Sequence, residues 1–177
     1  MPKVIVVNGP AQVGKDTFVN FCLEELEPYG SAMSTVDFIK ELAVDCGWNG
    51  EKDPMSRKYL SDLKQIFTDW LDTPMNKVKK EINNLRLKSI QYNLPDERFC
   101  LFVHCREPKE IARMAFELGA ITVLVDSAAA KLVTSNQSDL GIYNYDYDYV
   151  IHNDGSLDDL KNQAKYFINK LEEGENE

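Results

Sequence analysis

The sequence predicts an α/β fold in three layers, a five-stranded parallel sheet with helices on both faces, and three observations carry that prediction. Short apolar runs such as Val4-Ile5-Val6-Val7 alternate along the chain with longer stretches of helical periodicity. The first run leads straight into Gly9-Pro10-Ala11-Gln12-Val13-Gly14-Lys15-Asp16-Thr17, a glycine–lysine loop that opens a helix. The chain has 177 residues, a length that suits one domain (1–177) with a sizeable core.

The elements follow in order. The first strand, about Lys3 to Val7, is continuously apolar, as a central strand covered on both faces must be. The first helix begins near Lys15, buries Phe18, Val19, Cys22, Leu23 and Leu26, and is ended by Pro28 and Gly30. A short strand, Ala32 to Val36, meets a helix that starts at Asp37, in the place of an N-cap. After a loop from Gly47 to Pro54, two amphipathic patterns, Ser56 to Leu71 and Met75 to Tyr92, form a helical insert over about 54–93. Leu60, Leu63, Ile66, Phe67 and Trp70 mark the apolar face of the first helix, and Val78, Ile82, Leu85 and Ile90 that of the second. The third strand is Phe99 to Val103. A helix runs from about Pro108 to Leu118 and closes at Gly119. The fourth strand is Ile121 to Val125, and a linker or lid spans about 126–142. Tyr143 to Ile151 leads through a fifth strand into Asn153-Asp154-Gly155-Ser156, which caps the last helix, Leu157 to Leu171. The alternation of Tyr143, Tyr145, Tyr147 and Tyr149 with polar residues marks one face of an extended segment.

Composition narrows the function. The formal net charge is −9 and the sequence pI about 4.8, which disfavours general nucleic-acid binding and leaves room for a local basic pocket. The four cysteines form no C-x-x-C pair, which predicts a reduced cytoplasmic protein without a zinc site. No run approaches membrane-spanning length, so no membrane partner is expected.

The loop carries the chemistry. Gly9 and Gly14 permit backbone angles that turn successive amides, those of Ala11, Gln12 and Val13 included, toward an anion, while the helix behind adds its positive end. Lys15 supplies a point charge for the β- and γ-phosphates of a nucleotide. The spacing G-x-x-x-x-G-K between strand and helix is that of a Walker A loop, so a three-layer P-loop NTPase fold is expected. The residue after Lys15 is Asp16 instead of Ser or Thr, and Thr17 follows; both are candidate Mg²⁺ ligands.

Four stretches, GPAQVGKDT, VDFIKELA, FVHCREPKEIARMAFELGAITVLV and YDYDYVIHNDGSLDDL, together resemble the P-loop small-molecule kinases of the deoxynucleoside monophosphate kinase and phosphomevalonate kinase group, and more distantly dephospho-coenzyme A kinase. The resemblance implies an adenylate-kinase-like fold, ATP and Mg²⁺ as donor and metal, and γ-phosphoryl transfer to a small phosphorylated metabolite, with a (deoxy)nucleoside monophosphate first among acceptors. The group has Asp-Thr-Arg after its third strand where this chain has His104-Cys105-Arg106, and arginines after the fourth strand and in the lid where this chain has Asp126 and Lys131. Arginine clamps contribute several powers of ten to phosphoryl transfer, so these departures predict a slow enzyme or none. The alternative is a nucleotide-binding sensor or partner-binding module without transfer.

The candidate catalytic residues are Lys15, Asp37 and Arg106. The acceptor-binding set is Asp37, Lys40, Arg57, His104 and Arg106, with Asn153 on the adenine side. Asp37 is a proton acceptor or a helix cap, Arg106 an acceptor ligand or an ion-pair partner of Glu107 or Glu110, and His104 a weak base or a hydrogen-bonded structural residue. The pattern selects no particular acceptor and no oligomeric state.

Overall fold

The computed structural model describes residues 1–51, 53–128 and 141–173. Along them run β1 (Lys3–Asn8), α1 (Lys15–Leu26), β2 (Gly30–Ser34), α2 (Asp37–Asp45), α3 (Pro54–Leu71), α4 (Thr73–Tyr92), β3 (Cys100–His104), α5 (Pro108–Leu118), β4 (Ile121–Asp126), β5 (Tyr149–His152) and α6 (Leu157–Glu173). The strands form one parallel sheet in the order β2-β3-β1-β4-β5. Every strand therefore ends at the same edge, which carries Asn8, Ser34, His104, Asp126 and His152. Among the described residues no helix is long and apolar enough to cross a membrane.

Successive strand residues face opposite sides, so the unbroken apolar run of β1 feeds two cores. Ile5 and Val7 pack with Phe18, Val19 and Cys22 of α1 and with Phe167 and Ile168 of α6. Val4 and Val6 pack with Val78, Ile82 and Leu85 of α4 and with Ile111 and Met114 of α5. Phe18 and Phe167 meet at 5.7 Å between ring centroids and fasten α1 to α6.

Several boundaries differ from the sequence expectation. β2 begins at Gly30 and ends at Ser34, two residues earlier than its apolar content suggests. Gly30 is a strand residue paired with Cys100, not a helix stop, since α1 has already ended at Leu26; a Cβ on Gly30 would meet Leu23 Cδ2 at 2.6 Å. Leu23, lying over that edge strand, is only half-buried. α3 begins at Pro54, capped by Asp53, whose Oδ1 accepts from the amides of Met55 (2.7 Å) and Ser56 (3.0 Å). The tyrosine alternation is not a strand before Tyr149: Ile142–Asn144 form a 3₁₀ turn, and Tyr145 and Tyr147 pack on each other at 4.9 Å above the α5-side core. The last helix is capped as expected, with Ser156 and Asp159 exchanging hydrogen bonds in a capping box. Of the expected linker, 129–140, with Lys131, lies outside the described residues.

The largest correction concerns α3. Only part of its predicted apolar face turns inward: Leu60, Leu63 and Phe67 are half-buried, whereas Ile66 and Trp70 are 58% and 73% exposed. Its buried side chain is Lys64. At about 100° per residue, Ile66 and Trp70 lie roughly 200° and 240° around the helix from Lys64 and so face away from the body. On α4, Ile90 is likewise exposed, while Val78, Ile82 and Leu85 are buried as expected.

Cys22, Cys100 and Cys105 are buried and Cys46 is exposed. Burial pushes the Cys22 and Cys105 thiols far above the usual thiol range, which suppresses the reactive thiolate. Ellman's reagent should therefore titrate one thiol rapidly in the native protein and four after denaturation. Rapid reaction of two or more native thiols would show an open core.

Candidate functional site

The glycine loop sits at the carboxyl edge between β1 and α1, and its shape is forced at three points. Gly9 (φ 149°), Gln12 (φ 62°) and Gly14 (φ 93°) all lie at positive φ. Gly9 donates its amide to Asn8 Oδ1 at 2.8 Å, and a Cβ on it would stand 2.1 Å from the carbonyl oxygen of Val125. A Cβ on Gly14 would stand 2.5 Å from Asn153 Nδ2. Val13, 3% exposed, turns inward and pins the middle of the loop to the core.

Lys15 reaches back across the loop, its Nζ donating to the carbonyls of Gly9 (2.7 Å) and Pro10 (2.5 Å). The first turn of α1 holds Asp16 and Thr17, where a helix presents amide donors it cannot satisfy internally and where its dipole favours negative charge. Glycine curvature, an ammonium over the loop and a helix N-terminus behind it form the donor set that phosphate oxygens require. The loop thus has the build expected of a phosphate cradle.

β3 and α2 bring a second group of residues to this edge. His104 ends β3, half-buried, with Nδ1 3.7 Å from Asp16 Oδ1. Burial pulls its pKa below the ordinary histidine range; Asp16 and Asp37 oppose that shift, while Lys15 and Lys40 add to it. The His104 backbone is fixed from β2, since its carbonyl accepts from the Thr35 amide (3.1 Å) and from Ser34 Oγ (3.4 Å). Asp37 is not an N-cap: its Oδ2 accepts from the amide of Ser34 (2.7 Å), on the strand side of the turn, and its Oδ1 lies 3.3 Å from Lys40 Nζ.

The two acids expected to compete for Arg106, Glu107 and Glu110, are both taken by Lys64. Its Nζ lies 2.8 Å from a carboxylate oxygen of each, so α3 reaches across to the start of α5. Burial lowers the Lys64 pKa, but Glu107 and Glu110 more than reverse this and leave it raised. The Arg106 side chain is exposed, and its carbonyl accepts from Asn8 Nδ2 at 3.4 Å. Arg57 is exposed in the first turn of α3. Cys105, Glu107 and Glu110 bring their ligand atoms within 4.8 Å of one another, but the Lys64 ammonium already supplies the positive charge among the carboxylates.

Asn153 serves the loop itself. Its Nδ2 donates to the Val13 carbonyl (3.0 Å) and its amide to the Asp126 carbonyl (2.7 Å), so it buttresses the loop from the β5 side. Two further site residues escaped the sequence reading. Asn8, fully buried, links the Gly9 amide to the Tyr147 hydroxyl (2.7 Å); the signal for it is a polar residue closing an apolar strand just before a glycine. Asp126, 1% exposed, ends β4 and accepts from the Tyr143 hydroxyl at 2.8 Å, so it is a buried carboxylate instead of part of a solvated linker.

A groove of about 640 Å³ between Lys3, Arg98 and Leu171 lies at the amino ends of the strands, the edge opposite these residues. No protein-family profile matches the chain and no curated protein matches it. Among solved structures it is similar to TT1252 from Thermus thermophilus, at 16% identity and a TM-score of 0.42, over 96% of this chain and 98% of that one.

Proposed function

We propose that the chain has a P-loop NTPase fold and is an ATP-dependent phosphotransferase, passing the γ-phosphoryl group to a small phosphorylated metabolite of the (deoxy)nucleoside monophosphate class. The observation that carries this reading is the loop Gly9–Thr17, held at positive φ in three places, with Lys15 lying across it. Transfer of this kind needs charge neutralisation and alignment more than covalent help. Lys15 and the loop amides hold the donor phosphates. Asp16 and Thr17 are the residues that would hold Mg²⁺, which when bound neutralises charge on the phosphate oxygens. Across the edge, Lys40 and Arg106 supply cations for the acceptor's phosphate, and Asp37, already oriented by the Ser34 amide, accepts a hydrogen bond or a proton from it. Asn153 supports the loop wall on which the adenine side would rest.

One observation favours the second reading, a nucleotide-binding module without transfer. β3 ends in the half-buried His104, and β4 ends in a carboxylate, Asp126, bonded to Tyr143. Neither strand end supplies a guanidinium for the transferring group. The two readings separate in a coupled assay of ADP release against a panel of nucleoside monophosphates. Acceptor-stimulated turnover identifies the kinase; tight ATP binding with turnover indifferent to acceptor identifies the module.

Lys15→Ala tests the cradle beneath both. A charged hydrogen-bond donor to phosphate contributes about 1.5–3 kcal/mol, so ATP affinity should fall roughly 10- to 150-fold by calorimetry. The melting temperature should change little, because the half-buried ammonium is bonded to carbonyls of the cradle and lies outside both apolar cores. Unchanged affinity would remove the assignment.

A further inference from the structure

We infer that α3 carries a self-association face, on which a second copy of this chain docks helix to helix, antiparallel, about a two-fold axis. The inference is independent of the nucleotide site proposed above. Beside the outward Ile66 and Trp70, Met55 is 81% exposed and Tyr59 38% exposed. At about 100° per residue these four fall within a stripe roughly 60° wide, centred about 150° around the helix from the buried Lys64. Single exposed apolar side chains are ordinary, but a straight row of four that includes a tryptophan is a contiguous patch, and such patches mark interaction sites.

The spacing says what the patch fits. Met55 and Trp70 lie equally far from a midpoint between Asp62 and Leu63, and Tyr59 and Ile66 lie equally far from the same midpoint. The row is therefore spaced alike in both directions, which is the condition for an isologous contact. In antiparallel packing Met55 of each copy meets Trp70 of the other, and Tyr59 of each meets Ile66 of the other. An unrelated partner imposes no such symmetry. Antiparallel helices also bring the same flank of each copy together. On that flank the exposed Lys58 of one copy comes within about 3 Å, measured along the axis, of the level of the exposed Asp69 of the other, so an ion pair closes each end of the row. The two Asp62 carboxylates approach at the axis, a cost reduced by the Lys58 of each one's own helix. Together the two rows hide on the order of 1,000 Å², the lower bound for a specific interface, so the face fits a reversible dimer in the micromolar range.

Sedimentation velocity from about 1 to 300 μM tests the inference, and the natural chain should pass from monomer to dimer over that range. Trp70→Ala should raise the dissociation constant at least about tenfold. Ile66→Arg should stay monomeric throughout, and both variants should keep the natural circular dichroism because both side chains are exposed. A natural chain that stays monomeric, or variants that dimerise as it does, overturns the inference, whatever else the face binds. Cysteine pairing tests the direction in a Cys46→Ser background, which removes the exposed thiol. There Asp62→Cys should give a covalent dimer under mild oxidation. Met55→Cys should not, because its two copies stand about 22 Å apart along the axis and a disulfide spans less than about 7 Å between Cα atoms. Failure of Asp62→Cys to cross-link, or equal cross-linking by Met55→Cys, would overturn the antiparallel contact.

Discussion

Gly9→Ala is expected to abolish ATP binding and to destabilise the fold by on the order of 3 kcal/mol, the sum of a strained backbone and a forced shift of β4. The added methyl would stand 2.1 Å from the Val125 carbonyl oxygen and 3.1 Å from Val13 Cγ1, and neither neighbour can yield cheaply. The first is the backbone of a strand paired with β1, and the second belongs to a side chain 3% exposed in the core. Moving Gly9 outward instead would break its bond to Asn8 and carry the Lys15 acceptors with it. Gly47→Ala separates strain from collision. Gly47 also has positive φ (94°), but nothing stands within 4 Å of the place a Cβ would take, so only the conformational cost of about 1 kcal/mol should appear. Urea denaturation of the two variants checks this; equal midpoints would show that the loop is not packed against β4.

Lys64→Met should cost about 1–3 kcal/mol and loosen α3 before the sheet. Breaking a buried ion pair from one side leaves its partner charges uncompensated, which costs about 3–5 kcal/mol when both are fully buried. The penalty is smaller here because Glu107 is 54% exposed and can regain water, whereas Glu110, 24% exposed and 3.2 Å from the Cys105 thiol, cannot do so fully. The sign of the pH dependence follows from the raised Lys64 pKa. Its stabilisation is complete below the ordinary lysine value of 10.5 and is lost as pH rises through the raised folded value, so the natural chain and the variant should converge only in strong alkali. Hydrogen exchange locates the damage. Amides of α3 should lose protection ahead of those of β1 and β3, and uniform loss would show that α3 unfolds only with the whole.

The contrast between these two residues shows what was legible in the chain. The glycine loop could be read because its determinants are local: glycines, a lysine and an apolar strand, all close together in the chain, specify the turn, the charge and the helix start. The five parallel strands, the α1 face and most of the α4 face could be read for the same reason, since periodicity is a property of neighbours. Lys64 could not, because its partners lie 43 and 46 residues away and nothing near it marks a lysine for burial. The α3 apolar stripe misled in the complementary way. Ile66 and Trp70 fit helical spacing, but spacing does not say which side meets the body, and the contact through Lys64 and Phe67 turned them outward. Asn8 and Asp126 were missed for a related reason, as polar residues at strand ends are read as solvated unless their distant partners, Tyr147 and Tyr143, are known. The proximity of Asp16 and His104 likewise comes from strand order, which pairs β3 with β1.

The grip of Asn153 on the Val13 carbonyl, 140 residues away along the chain, together with the packing of Phe167 on Phe18, means that the loop after β1 is completed by elements synthesised much later than itself. During translation β1, the loop and α1 can leave the ribosome in sequence and still lack the β5-side partner that braces the turn. A fragment that ends before β5 would lack both the Asn153 bond to the loop and the α6 cover over α1.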